Sequence, residues 1–409
     1  MKSKMNAKKC SRFHIACEES ILRGEVTDVY FQRAREILTR MGAADRVVTA
    51  DVHSYGFPEG YDWAVLTGIE EVAKLLEGRK VDVYSMNEGE LFRVYEPVME
   101  ITGPYIEFGV YESAMLGILR HGTSVSTKAA RIKLHSLDKQ VIFFGIRCVH
   151  PAITPFIDRA AFIGGCDGVS GVMGAAMLGE KPIGTMPHAL IIVAGDQKLA
   201  WKAFDQVMPS EVPRIALCDT FLDEREESLM AAEILGERLQ GVRLDTPGSR
   251  RGNMKQIAQE VRWVLNLRGH RHVKILISGG IDEDEIKELH DVADGFGVGT
   301  SIAFPKSVDL ALDIVEVNDK PISKRGKLPG AKQVYRCPNL HDTITPRSKT
   351  LERCPRCGGP VKPLLQQIIR QGEIIIDIPS PREIRNRVVE YLEKIKKLGV
   401  FEPLPILLS

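Results

Sequence analysis

The sequence predicts an α/β protein in three parts: an N-terminal α+β domain over residues 1–122, an irregular β/α barrel over 123–320 and a small cysteine-bearing domain over 321–409. Three observations carry this. Short strand-like and helical stretches mix up to about Leu119, apolar β-rich runs with helix-length spacers take over from about Val141, and Cys337, His341, Cys354 and Cys357 cluster beyond them. A chain of 409 residues, 44% hydrophobic and 27% charged, is long enough for two or three domains with their own cores.

In the first part, Val81 to Ser85 and Val98 to Thr102 read as strands, and Ile69 to Leu76 and Tyr111 to Leu119 as helical stretches. Gly103-Pro104 reads as a turn feeding a helix that carries Glu107 and Glu112. In the second part the candidate strands are Val141 to Ile146, Phe162 to Gly165, Leu190 to Ala194, Arg214 to Cys218, Val242 to Leu244, Val273 to Ile277 and Gly295 to Val298. The starts at 214, 242, 273 and 295 are 28, 31 and 22 residues apart, which suits repeated βα units and strands buried on both faces. So many strands in so short a span, without a dinucleotide glycine fingerprint after the first, favour an irregular barrel over a doubly wound sheet. After a basic, turn-rich linker from Lys324 to Gly330, the third part ends in a helix of roughly Pro381 to Lys397, with Ile384, Val388, Val389, Leu392 and Ile395 at helical spacing.

A net charge of +1, from 55 basic and 54 acidic residues, offers no global field for nucleic acid or an anionic membrane. Lys2, Lys4, Lys8 and Lys9 are not followed by a signal-peptide apolar region, and no run of about 18 apolar residues appears, so the expected location is cytoplasmic. Cys10, Cys17, Cys148, Cys166 and Cys218 are scattered, unlike a secreted disulfide framework.

Barrel enzymes place chemistry at the carboxyl ends of their strands, and nearly every predicted end here is polar or glycine-rich. Arg147 follows the first strand, Asp167-Gly168 the second, and Asp219-Thr220 and Asp245 later ones. The last two ends carry Ser278-Gly279-Gly280 and Gly297-Val298-Gly299-Thr300, where backbone N–H groups can approach phosphate oxygens with no Cβ in the way. Arg243 and Asp245 alternate with Leu244 and so share the inward face; they either neutralise each other or hold a carboxylate and ribose hydroxyls. His188, in Gly184-Thr185-Met186-Pro187-His188, is read as preceding an apolar strand, between a structural and a catalytic role.

Cys337-x3-His341-x12-Cys354-x2-Cys357, followed by Gly358-Gly359, has zinc-knuckle spacing, and four protein ligands leave no open position, so the role is structural.

Taken in order, these motifs resemble the nicotinate phosphoribosyltransferases, in particular the short archaeal type with a C-terminal zinc knuckle. The matches include Thr27-Asp28-Val29-Tyr30-Phe31, Asn87-Glu88-Gly89, Phe144-Gly145-x-Arg147, Gly165-x-Asp167-Gly168, Arg243-Leu244-Asp245-Thr246 and Lys327-x-Pro329-Gly330-x-Lys332-Gln333-Val334-Tyr335-Arg336. The resemblance implies a type II phosphoribosyltransferase fold and transfer of the 5-phosphoribosyl group of phosphoribosyl pyrophosphate to nicotinate, giving nicotinate mononucleotide and pyrophosphate. It implies a pyridine stacked between Phe144 and Tyr30, with Tyr30 arriving from a neighbouring subunit of a head-to-tail dimer. By the same carry-over Arg243 and Arg147 bind the carboxylate and phosphate region, Asp167 faces the ring nitrogen, Asp245 holds ribose hydroxyls, and Asp219 lies near pyrophosphate and its Mg²⁺. Ser278, Gly279, Gly280, Gly299 and Thr300 take the 5′-phosphate. Many relatives couple the reaction to ATP through a phosphorylated histidine; His188 matches that position, with Ala189 where many relatives have Ser or Glu. His341 stands where near relatives of this type use cysteine. Quinolinate and nicotinamide are rival acceptors, quinolinate calling on Lys128 and Arg131 beside Arg147 and Arg243 for its second carboxylate. A zinc-bearing tRNA base-exchange enzyme, a nucleic-acid-binding protein and a non-catalytic sensor are the readings from other classes.

Overall fold

The computed structural model describes residues 12–399 and 404–408; Cys10 and the lysines near the N-terminus lie outside them. The chain forms two compact units, one running to Thr127 and resuming at Lys306, the other being Lys128–Pro305.

The Lys128–Pro305 unit is organised around a six-stranded parallel sheet in the order Gly168–Val169, Gln140–Phe143, Gly295–Val298, Lys274–Ile277, Gly241–Leu244, Ile215–Leu217. The two outer strands do not pair with each other, so the barrel is open on one side. Val141, Ile142, Phe143, Ile275, Leu276 and Ile277 are all buried, the continuous burial expected of strands covered on both faces. Helices such as Glu224–Leu235 and Met254–Leu267 follow their strands, each started by a side-chain cap: Asp223 accepts from the Glu226 amide and Asn253 from the Gln256 amide.

Two predicted strands are helical. Phe162 to Gly165 closes the helix Thr154–Ile163, which is buried over most of its last two turns, and Leu190 to Ala194 lies in the helix His188–Ala194. There Ile191 is buried while Ile192 and Val193 are exposed, a one-sided pattern. Short apolar runs carry too few residues to separate the two periods.

In the other unit a seven-stranded antiparallel sheet runs Lys320–Pro321, Ala311–Val317, Val47–His53, Pro97–Pro104, Asp82–Ser85, Gln366–Arg370, Glu373–Ile374. The predicted division at 122 and 320 is thereby redrawn: Ala311–Val317 pairs with Val47–His53 and Gln366–Arg370 with Asp82–Ser85, so residues after 306 complete the N-terminal sheet. Strand edges left with open N–H and C=O groups are covered by whatever strand reaches them, and that partner is distant in sequence. The helix Ile69–Leu76 is where periodicity placed it, and Pro381–Leu398 buries Ile384, Val388 and Leu392. A hairpin of Lys332–Arg336 and Asp342–Pro346 holds Cys337 and His341 at its tip.

Beneath that tip lies a buried ionic network. Arg336 donates to both Asp342 oxygens, at 2.7 and 2.6 Å, and to Glu90 at 3.0 Å. Arg93 pairs with Asp342 and donates to the Leu340 carbonyl at 2.5 Å, and the Tyr391 hydroxyl donates to Glu90 at 2.5 Å. Burial alone raises the Asp342 carboxyl, but Arg336 and Arg93 hold it below its ordinary range.

Candidate active site

The carboxyl ends of the parallel strands gather most of the predicted residues. Arg243 and Asp245 do share a face: Arg243 Nη2 lies 2.9 Å from Asp245 Oδ2, while Nε donates to Ser278 Oγ at 2.9 Å and Nη1 to Thr185 Oγ1 at 3.0 Å. Ser278 Oγ in turn donates to Asp245 Oδ1 at 2.5 Å. The guanidinium carbon stands 5.3 Å from the Phe144 ring centroid, a cation against an aromatic face.

Two glycines are required by this packing. A Cβ on Gly297 would come 2.5 Å from the Phe144 ring, and Gly279, at φ +86°, would bring one 2.7 Å from the Asp245 carbonyl. The Ser278-Gly279-Gly280 turn thus lies directly against Asp245. Gly299 precedes the short helix Thr300–Ala303, and Thr300 Oγ1 lies 3.4 Å from Cys148 Sγ, a thiol that sequence reading left unassigned.

His188 starts a helix rather than preceding a strand, and from there its ring reaches the acidic residues. Nε2 lies 3.5 Å from Asp245 Oδ2 and 3.7 Å from Asp219 Oδ1, and Nδ1 lies 3.2 Å from Thr220 Oγ1. Asp219 Oδ2 accepts from the Asp245 amide and lies 2.9 Å from Thr246 Oγ1, whose hydroxyl also stands 2.6 Å from Glu224 Oε1. One hydroxyl hydrogen serves one carboxylate at a time. Asp219 Oδ1 is buried without a hydrogen-bond partner, and burial raises its carboxyl above the ordinary range despite Thr246 and His188.

One predicted residue of this unit lies at the opposite strand end. Asp167 is a correction: its carboxylate accepts from Lys133 Nζ and the Val141 amide, both at 2.8 Å, at the amino end of the strand Gln140–Phe143 and opposite the site. The physical reason is the misplaced strand, since Gly168–Val169 begins after Asp167 instead of ending before it. Arg147 is exposed in the turn Ile146–Cys148, and Tyr30 is 57% exposed on the helix Val29–Arg40 of the other unit. Lys128 and Arg131 are both engaged by Glu283, at 2.8 and 3.0 Å. Thr185, Thr220, Glu224 and Thr246 are the site members that sequence reading passed over, although each lies in or next to a strand-end motif it had marked.

The four predicted metal ligands come together in the other unit, their ligand atoms within 4.8 Å of one another. Cys337 and Cys357 sulfurs are 3.7 Å apart, and Cys354 Sγ lies 3.8 Å from His341 Nδ1. Thiolates about 2.3 Å from a tetrahedral zinc stand about 3.8 Å from one another, so the donor set fits such an ion. The Gly359 amide, then His341, holds the Cys357 thiol down at about 6, whereas burial pushes the Cys337 thiol up to about 11.

Residues 28–123 match the family described as quinolinate phosphoribosyl transferase, N-terminal domain, and residues 125–313 its C-terminal domain. The chain is similar to the nicotinate phosphoribosyltransferase of Bacillus subtilis, 26% identical over 363 residues that cover 76% of this chain and 73% of that one. Among solved structures it is similar to nicotinate-nucleotide pyrophosphorylase from Pyrococcus furiosus, at 57% identity and TM-score 0.93, covering 96% of this chain and 100% of that one. Human nicotinic acid phosphoribosyltransferase, at 19% identity, shares the fold with a TM-score of 0.79 over 94% of this chain and 98% of that one.

Proposed function

This chain belongs to the nicotinate phosphoribosyltransferase family, with the type II phosphoribosyltransferase fold, and from that premise we propose how its own residues serve the reaction. The reaction joins nicotinate to the 5-phosphoribosyl group of phosphoribosyl pyrophosphate in NAD synthesis. The pyridine nitrogen lone pair forms the bond to the anomeric carbon as the bond to pyrophosphate oxygen breaks, and pyrophosphate leaves with that electron pair. The transition state is oxocarbenium-like, so the protein contributes chiefly position and charge.

The observation that carries the reading is Arg243 over Phe144. Three of the five guanidinium N–H groups are held by Thr185, Ser278 and Asp245, which leaves two for a carboxylate on a ring lying along Phe144. Asp245 takes ribose hydroxyls, and the turn Ser278-Gly279-Gly280 with Gly299 and Thr300 takes the 5′-phosphate. Arg147 joins the phosphate region, and Tyr30 closes the ring's other face from a neighbouring subunit of a homo-oligomer, at least a dimer with shared sites.

Asp219, with its orphaned Oδ1 and a hydroxyl hydrogen shared with Glu224, has negative charge in surplus, which suits Mg²⁺ held together with pyrophosphate. Such an ion supplies charge neutralisation for the leaving group. His188, between Asp219 and Asp245, is the acceptor through which ATP hydrolysis is coupled to the transfer, giving the enzyme its ligase character. Zn²⁺ held by Cys337, His341, Cys354 and Cys357 is a structural staple. The cytoplasm is the proposed location; among the described residues no helix is long and apolar enough to cross a membrane.

Quinolinate is the second reading, since the matched family carries that name. The engagement of Lys128 and Arg131 by Glu283 opposes it, because a second carboxylate needs uncommitted cations. Purified protein with Mg²⁺ and phosphoribosyl pyrophosphate, assayed with nicotinate, quinolinate and nicotinamide, is expected to turn over nicotinate best; equal or faster use of either rival overturns the assignment.

A further inference from the structure

The loop after the strand Ile215–Leu217 brings two residues to the site, Asp219 towards Asp245 and Thr246, and Thr220 towards His188. Yet Phe221 and Leu222, which continue it, are 49% and 44% exposed, so outward packing of side chains does not fix it. It is held from beneath. Glu227 is fully buried on the helix Glu224–Leu235, and its carboxylate receives three consecutive main-chain N–H groups: Thr220 at 3.0 Å on Oε2, and Phe221 and Leu222 at 2.8 and 2.9 Å on Oε1. The helix start does not need it, because Asp223 already caps the Glu226 amide.

A carboxylate is the side chain that fits. Both of its oxygens are acceptors, whereas an amide of the same shape presents one acceptor and an NH₂ group that would confront an N–H donor. Bonds from N–H groups to a carboxylate are charge-assisted, and the carboxylate that receives them is itself buried. From the loop so fixed, the Thr220 hydroxyl meets Nδ1 of His188, which turns Nε2 towards Asp219 and Asp245.

We propose that Glu227 is a positioning residue for His188: by gathering the amides of residues 220–222 it sets Thr220 against Nδ1 and so fixes which ring nitrogen faces the acidic pair. The inference rests on the reading of His188 as the group through which ATP acts. Glu227 touches neither substrate nor the reacting atoms. Its effect passes through one hydroxyl.

The test combines kinetics with imidazole ¹⁵N spectra of histidine-labelled protein, His188 being assigned by its absence in His188→Asn. In Glu227→Gln the ATP-stimulated rate is expected to fall about tenfold, the size typical of losing a group that orients a functional side chain. The KM for nicotinate should stay within about twofold, and the His188 resonances should move. Thr220→Val, which leaves the three amide bonds intact, should move the same resonances in the same direction. His188 resonances unmoved in either variant overturn the proposal, including the case in which Glu227→Gln loses rate and thermal stability together. If ATP stimulation survives in His188→Asn, the acceptor reading fails, while the spectra of Glu227→Gln and Thr220→Val still decide whether Glu227 orients the ring.

Discussion

Two clusters of charge, one in each compact unit, use the same residue types and end in opposite states. In the unit that holds the cysteines, Arg93 and Arg336 surround Asp342, and Glu90 is met by both Arg336 and Tyr391. All of these residues are buried, and every oxygen of Asp342 and the contacted oxygen of Glu90 has a donor. In the barrel unit, Arg243 is saturated on one side only, Asp219 keeps an orphaned buried oxygen, and His188 stands 3.5 to 3.7 Å from two acids without closing on either. The first arrangement pairs both oxygens of Asp342 and leaves Glu96 Oε1, 3.9 Å from Arg93 Nη1, as its one orphaned oxygen, whereas the second leaves guanidinium, carboxylate and imidazole groups open together. Complete pairing makes a buried charge a structural fixture, whereas open donors and acceptors among prearranged neighbours mark a binding site.

That contrast is broken most forcefully at Arg336. Arg336→Met leaves Asp342 and Glu90 buried with one cation fewer, and removing one partner of such a pair costs about 3–5 kcal/mol, so chemical denaturation should show a loss of that order. A loss below about 1 kcal/mol would mean the network is not the fixture described. Asp245→Asn should do the reverse: kcat/KM for nicotinate falls about a hundredfold because Arg243 and Ser278 lose the group that aligns them, while the melting temperature hardly moves. A large stability loss with modest kinetic change would place Asp245 with the structural cluster instead.

The smallest expected effect sharpens the comparison at a third acid. Asp158 is fully buried, neither of its oxygens has a hydrogen-bond partner, and burial pushes its carboxyl up to about 7 from an ordinary 3.8. The folded state therefore favours the protonated acid. Its contribution is fully present below about pH 4 and declines as pH rises through about 7. Asp158→Asn should raise stability at pH 8, on the order of 2 kcal/mol, and change it little at pH 4. An equal effect at both values would show that the carboxyl is not shifted.

How much of this was legible depended on distance along the chain. The alternation Arg243-Leu244-Asp245 sets the two charges on one face because strand geometry has a period of two, and the structure honours it. The spacing of the four candidate metal ligands was readable for the same reason, since the hairpin tip and the Cys-x2-Cys turn are each short-range objects. Asp167 was misread because its strand was assigned one element too early, which exchanged the two ends of the barrel. Glu227 was invisible: its partners are backbone amides, and amides carry no sequence signature.

The sequence by itself determined what local geometry controls: the βα repeat, the glycine turns that approach Asp245 and Phe144, the capped helices and a compact donor set for a metal. Only the tertiary structure decided which distant segments complete which sheet, which strand end faces the site, and which charges are left open. Those outcomes depend on pairing and burial between residues hundreds of positions apart, and burial is what turns an ordinary Asp, Glu or Arg into either a fixture or a functional group.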